Sequence, residues 1–305
     1  MRLFTTVSLC ILCCSLSVSA QTPSDAQMMK KREACIAVMY ERGSFDQYWE
    51  GTLLRSNETI ATVNRMSVGP MIAVGILDQL NFYVALPYVK SESTEPNGGQ
   101  LHGAKGFQDL SVALKYRALN QEIGQGKLSA FLATGFAMPV SNYLYDYRPY
   151  SIGNGTNELS IRGMVQYRLN MGLYARVLAG HFFRGQTEVE RDFYYNNGAY
   201  YSRWMDVPNA VEYSGVVGFW FLDNTLKLEA NYYKMQSTSG DDIRKYNAAQ
   251  PTNKVVFDQV GASVQYYTKQ IKGLGVLAYY NQMLNGRNVG KVTSFGAGIT
   301  YQFKF

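Results

Sequence analysis

Cysteine is nearly absent from the 305-residue chain. There are four, and Cys10, Cys13 and Cys14 fall in the first twenty residues. Beyond them only Cys35 remains, so no disulfide can form within the rest of the chain. It is expected as a small apolar side chain near the start of the first strand. Histidine is equally scarce. Neither His102 nor His181 stands at ligand spacing from a second His, Cys or carboxylate, so no metal and no cofactor is expected. A nucleophile–base site of the kind used by lipid-acting barrel enzymes is not legible either: His181 is followed by Phe182 and Phe183, with no serine two residues on. Charge is not concentrated. The formal net charge is +6, without the basic block that nucleic acid requires. The acid pairs Asp241-Asp242 and Glu188/Glu190 fall in polar links, where solvated charge is the ordinary explanation. No Pro- or Ser-rich linker divides the chain. After residue 20, no apolar run reaches the ~20 residues of a membrane helix.

What is present begins with a leader. Residues 1–20 combine a short basic start (Arg2), an apolar stretch from Leu3 to Val18 diluted by Ser and Thr, and the small-residue site Val18-Ser19-Ala20 before Gln21. This reads as a secretory signal. Residues 21–34 are then expected as a periplasmic segment and 35–305 as one domain.

From residue 35 onward the chain alternates with a period of two. "DLSVALKYRAL" sets Leu110, Val112, Leu114 and Tyr116 against Asp109, Ser111, Lys115 and Arg117. "ELSIRGMVQYRL" sets Leu159, Ile161, Val165 and Tyr167 against Ser160, Arg162, Gln166 and Arg168. "LKLEANYY" does the same from Leu226 to Tyr233. These are strands with one apolar and one polar face. Twelve such segments are predicted, near 35–45, 59–77, 80–90, 107–119, 126–139, 157–169, 171–185, 208–222, 225–237, 255–268, 271–284 and 292–305.

The links sort by length. Asp78-Gln79, Asn170, Asp223-Asn224 and Lys269-Gln270 are tight, and 120–125 is only slightly longer. Ser91–Gly106, Val140–Thr156, Gln186–Val207 and Thr238–Lys254 are long and polar, and all fall at the opposite end. A sandwich has no reason to sort its links so. A transmembrane barrel does, with short periplasmic turns, long outer loops and an even strand number. The expectation is an all-β, antiparallel, up-and-down barrel of twelve strands in a Gram-negative outer membrane.

The stretch "GITYQFKF" (298–305) fits this. Ile299, Tyr301, Phe303 and Phe305 would face lipid, and Tyr301, Phe303 and Phe305 are expected to form the signal read by the barrel assembly machinery. Tyrosine is abundant, with 24 residues, and doublets such as Tyr232-Tyr233 and Tyr279-Tyr280 should send one ring outward and one inward. Glycines are expected on the lumenal side, among them Gly75, Gly218 and Gly296. Pro70, Pro87 and Pro139 are expected to interrupt or end strands.

Several stretches together resemble a known family. "GILDQLNFYVALPYV" (75–89), "GFQDLSVALKYRAL" (106–119), "FLATGFAMPVS" (131–141) and "SIGNGTNELSIRG" (151–163) follow in its order. The chain is similar to the outer-membrane proteins called the meta-pathway of phenol degradation group, porin-like transporters of the outer-membrane barrel clan. Where that family has Pro-Thr-Gly after its fifth strand, this chain has Pro139-Val140-Ser141. The resemblance implies a barrel that takes up aromatic or other apolar solutes.

The lumen-lining candidates are Arg65, Lys115, Arg162, Gln166, Arg168, Arg176, Lys227, Glu229, Gln259 and Gln265. Two readings of them stand together: a satisfied polar network filling a narrow barrel, or a charge-lined channel. The basic excess among them suggests a lumen that favours anionic or apolar solutes. Three functions remain open: a channel or transporter for small solutes, a barrel whose outer loops bind a partner, and a lipid-acting enzyme. The first is preferred, without enzymatic activity, with outer-membrane lipid as the surroundings.

Overall fold

The computed structural model describes residues 22–243 and 249–305. The predicted leader 1–20 lies outside them. The described residues form a closed antiparallel barrel of twelve strands. β1 is Glu33–Phe45 and β2 is Val63–Leu77. β3 runs in two pieces, Leu80–Ala85 and Tyr88–Asn97, and β4 in two, Leu101–Phe107 and Asp109–Ile123. β5 is Gly126–Pro139, β6 Glu158–Leu169, β7 Leu173–Arg184 and β8 Ala210–Phe221. β9 is Leu226–Ser237, β10 Val256–Tyr267, β11 Leu274–Arg287 and β12 Thr293–Lys304. Each strand pairs with its chain neighbour. β1 closes the ring, pairing Ala34 with Phe303 of β12 on one side and with Val74 of β2 on the other. Closure leaves no unpaired edge, which is the condition for strands in lipid.

The apolar face points outward. Ile72, Leu114, Leu132, Val177, Val217 and Ile299 are among the exposed large side chains. Tyr301, Phe303 and Phe305 continue that face as a row of rings with centroids 5.9 and 6.5 Å apart. Tyrosine doublets divide as the alternation requires: Tyr232 and Tyr280 are exposed, whereas Tyr233 is buried. This is a hydrocarbon-facing exterior on a barrel, and it places the protein in a bacterial outer membrane. No described helix is long and apolar enough to cross one.

Two features differ from the sequence expectation. The link Ser91–Gly106 is largely strand, because β3 and β4 extend beyond the barrel as a hairpin whose turn rests on Gly98 and Gly99, both at positive φ. Its polar alternation, with no apolar face, hid it. The link after β1 also carries a short hairpin, Gln47–Glu50 with Leu53–Ser56. The prolines act locally. Pro87 sits in the break of β3, Pro139 ends β5, and Pro70 stays within a β2 that remains paired to β1.

Candidate functional site: the bore

Alternation sends every second side chain of each strand into the bore, and glycines decide what fits there. At Gly296 a Cβ would lie 2.3 Å from the Tyr279 ring, so the glycine gives that ring its place. At Gly75 a Cβ would lie 2.0 Å from the Lys30 carbonyl oxygen. That position matters because residues 22–32, expected as a periplasmic segment, run into the bore past Gly75.

The reason is chemical. The Lys115 ammonium is fully buried and points at the segment, donating to the carbonyls of Thr22 (2.8 Å), Asp25 (3.0 Å) and Gln27 (2.8 Å) and pairing with Asp25 Oδ1 at 3.0 Å. Asp25 in turn accepts from the backbone N–H groups of Thr22 and Gln27. Asn81 brackets the backbone of Met29, accepting from its N–H at 2.7 Å and donating to its carbonyl at 3.0 Å. Apolar contacts complete the seat. Met29 packs with Cys35, Ala73 and Tyr83, while Ala26 and Met28 rest on Phe131, Met164 and Leu178. Such a segment makes no strand ladder; it is held by side chains of the wall.

The remaining candidates also face inward, and most are paired. Glu229 receives Arg176 at 3.2 Å, Lys227 at 3.5 Å and the Tyr174 hydroxyl at 2.6 Å. Arg162 donates to Glu212 at 2.5 Å, and Tyr233 donates to the other oxygen of the same carboxylate at 3.0 Å. The Arg162 guanidinium also lies 5.0 Å from the centre of the Phe182 ring. Arg168 sits over Trp220 at 5.7 Å and donates to Asn224. Gln166 faces Arg176 in register. Gln259 is buried, and Gln265 donates to the Tyr267 hydroxyl. Charge-assisted bonds of this kind are strong because the surroundings are dry.

The basic excess expected from the sequence is therefore smaller than the candidates alone suggest. Asp25, Glu41 and Glu212 were not among the candidates, and they set opposing charge beside Lys115, within the bore at Tyr279, and beside Arg162. Glu41 and Glu212 were findable: each alternates with residues of a buried face, Glu41 with Ala37 and Met39, Glu212 with Ala210 and Ser214. Asp25 carried no such signal, since it precedes the first strand.

At the outer end, the link between β5 and β6 folds inward. Tyr150 and Ile152 are fully buried, and Arg65 holds the turn by donating to the carbonyls of Ser151 (3.0 Å) and Ile152 (2.6 Å). Tyr143 donates to Asp109 at 2.7 Å, and burial together with that carboxylate holds its hydroxyl well above the ordinary tyrosine pKa. Arg148 is pushed down to about 10 by burial, with Arg184 and Arg65 adding repulsion. The link between β7 and β8 locks onto this one, with Arg191 paired to Asp146 at 2.8 Å, and is itself held by the link between β9 and β10, where Gln250 donates to the Tyr195 carbonyl at 2.6 Å. The bore is thus occupied from both ends.

Neither family models nor curated protein sequences match the chain. Solved structures do. The COG4313 outer membrane channel from Pseudomonas putida F1 superposes with a TM-score of 0.73 at 10% identity, over 92% of this chain and 99% of that one. The translocator domain of the autotransporter NalP from Neisseria meningitidis gives 0.47 at 12% identity, over 92% and 91%. At such identity the first likeness is one of fold, and the fold is that of an outer-membrane barrel.

Proposed function

We propose that the protein is a channel for small solutes across the outer membrane, closed in the described conformation. The observation that carries this reading is the seat of residues 22–32. A polar bore is stoppered by a segment bound through side-chain contacts, and breaking those contacts opens the bore without unpairing the wall. The fold likeness to an outer-membrane channel points the same way, and so does the resemblance of residues 75–163 to the phenol meta-pathway group. On that resemblance the solutes are aromatic or otherwise apolar. Most bore charges are paired, which fits uncharged or weakly charged solutes better than strongly anionic ones. His181 packs on Phe183 with ring centroids 4.3 Å apart, a place that suits membrane contact better than catalysis. Tyr301, Phe303 and Phe305 are read as the strand recognised during assembly.

The test is conductance and liposome swelling with purified protein. Replacing residues 22–29 by Gly and Ser, together with Arg65→Gln to release the link between β5 and β6, should raise single-channel conductance severalfold over the parent and admit benzoate-sized solutes. A variant that folds, migrates as a compact heat-modifiable barrel and still does not conduct defeats the reading.

A second reading draws on one observation. The link between β7 and β8 has its own small core of Val189, Tyr194 and Met205, and presents Phe193, Tyr200, Tyr201 and Trp204 outward. Exposed aromatics on a folded loop suit a partner at the cell surface. Changing Tyr201 and Trp204 to Ser should abolish such binding and leave conductance unchanged.

A further inference from the structure

Strand register sets four residues side by side on the outer surface. Arg42 of β1 pairs with Met66 of β2, Met66 with Lys90 of β3, and Lys90 with Lys105 of β4. All face away from the bore, and the three cations are exposed. Three interstrand spacings put Arg42 and Lys105 about 14 Å apart at the backbone, within reach of one headgroup on flexible side chains.

The row has a defined depth. Two residues toward the membrane centre on the same face stand Tyr40, Val68, Tyr88 and Phe107. Tyr40 contacts Phe295 of β12 with ring centroids 5.8 Å apart, and Tyr88 meets Phe107 edge-on at 5.4 Å. Two residues the other way stand Ser44, Asn64, Glu92 and Gly103. Apolar side chains thus give way to polar ones at the row itself. Aromatic rings mark the membrane interface in such barrels, so the cations lie at the level of the lipid headgroups, on the side of the long links.

The charge is one-sided. Glu92 is the acid beside the row and holds Lys90 at 2.5 Å, while Arg42 donates to the neutral Asn64 at 3.0 Å. Elsewhere on the rim, Lys234 of β9 faces Asp258 of β10 in register, so that cation meets its opposite.

We infer that Arg42, Lys90 and Lys105 form a docking site for the phosphorylated headgroup of an outer-leaflet glycolipid, with its acyl chains lying along Tyr40, Val68, Tyr88 and Phe107. Cations at this depth attract anionic headgroups, and their stems cover apolar surface while the charges reach the phosphates. The lipid would bridge β1 to β4, the third of the wall that includes the closing strand.

Native mass spectrometry of the full-length barrel in detergent, with bisphosphoryl lipid A as the probe, tests this. The parent should retain the lipid, and Arg42→Gln/Lys90→Gln/Lys105→Gln should retain it at least about tenfold more weakly. Lys234→Gln should match the parent. Glu92→Gln, which frees Lys90, should bind more tightly than the parent. Heat-modifiable migration confirms that each variant is folded. Equal retention by the triple variant, equal retention of phosphatidylcholine by the parent, or full displacement by millimolar inorganic phosphate would overturn the site.

Discussion

A buried carboxylate with two partners is the sharpest residue-scale feature of the bore. Glu212 is about 3% exposed, and its charge is answered by Arg162 and by the Tyr233 hydroxyl. Removing one member of a buried pair strands the other and costs about 3–5 kcal/mol, whereas replacing both by apolar groups is often neutral. Arg162→Met should therefore lower folding stability by about that amount, read from denaturant-induced unfolding in detergent micelles. Arg162→Met with Glu212→Leu should recover most of the loss. If single and double variants are equally destabilised, the pair is not the unit it looks to be. Period two decides facing, which is why Lys115, Arg176, Lys227, Glu229, Gln259 and Gln265 are buried side chains while their strand neighbours are not. Their partners were less legible. Pairing between Arg162 and Glu212 joins residues 50 apart in the chain, and nothing in a strand's own alternation says which distant carboxylate it will meet.

At the scale of the element, β12 shows why the strands were readable and the excursions were not. Ile299 is exposed to lipid and Thr300 is buried in the bore, so neighbouring residues meet opposite solvents and the sequence must alternate. The extended hairpin of β3 and β4 leaves the membrane and buries Ser91 and Ser93 on its inner face, with Ser93 against the Tyr150 hydroxyl, so its alternation is polar on both faces and loses the apolar pattern. The segment 22–32 lies inside but is not a strand, so it shows no period at all. The lipid face also has depth. Ile299 pairs with Val38 near the middle of β1, whereas Phe303 pairs with Ala34 at its start. A charge on the lipid face costs about 2–4 kcal/mol at the bilayer centre and about 0–1 near the interface. Ile299→Arg should thus impair folding into liposomes by the larger amount and Phe303→Arg by the smaller. Equal penalties would mean that β12 does not cross the bilayer in the assigned register.

For the whole molecule, the tight turns that join strands at the barrel wall lie at one end, and the long links and the extended hairpin of β3 and β4 project from the other, so a single orientation follows for all twelve strands. Asp223, in the turn between β8 and β9, has a side chain 93% exposed and should face the periplasm. Leu101, at the tip of the extended hairpin, and Tyr201, 87% exposed in the link between β7 and β8, should face outward. Among the described residues the native thiol does not interfere: Cys35 is buried in the bore against Met29. A thiol so enclosed is out of a reagent's reach, so the parent protein supplies a dark background. Single variants Leu101→Cys, Tyr201→Cys and Asp223→Cys separate the two ends without touching a hydrogen bond of the barrel ladder. On intact cells, a membrane-impermeant maleimide should label the first two and spare the third. After the outer membrane is permeabilised, Asp223→Cys should label as well. Labelling of Asp223→Cys on intact cells, with Leu101→Cys and Tyr201→Cys spared, would invert the barrel. It would also move the row of Arg42, Lys90 and Lys105 to the periplasmic leaflet, where the phosphorylated glycolipid is not.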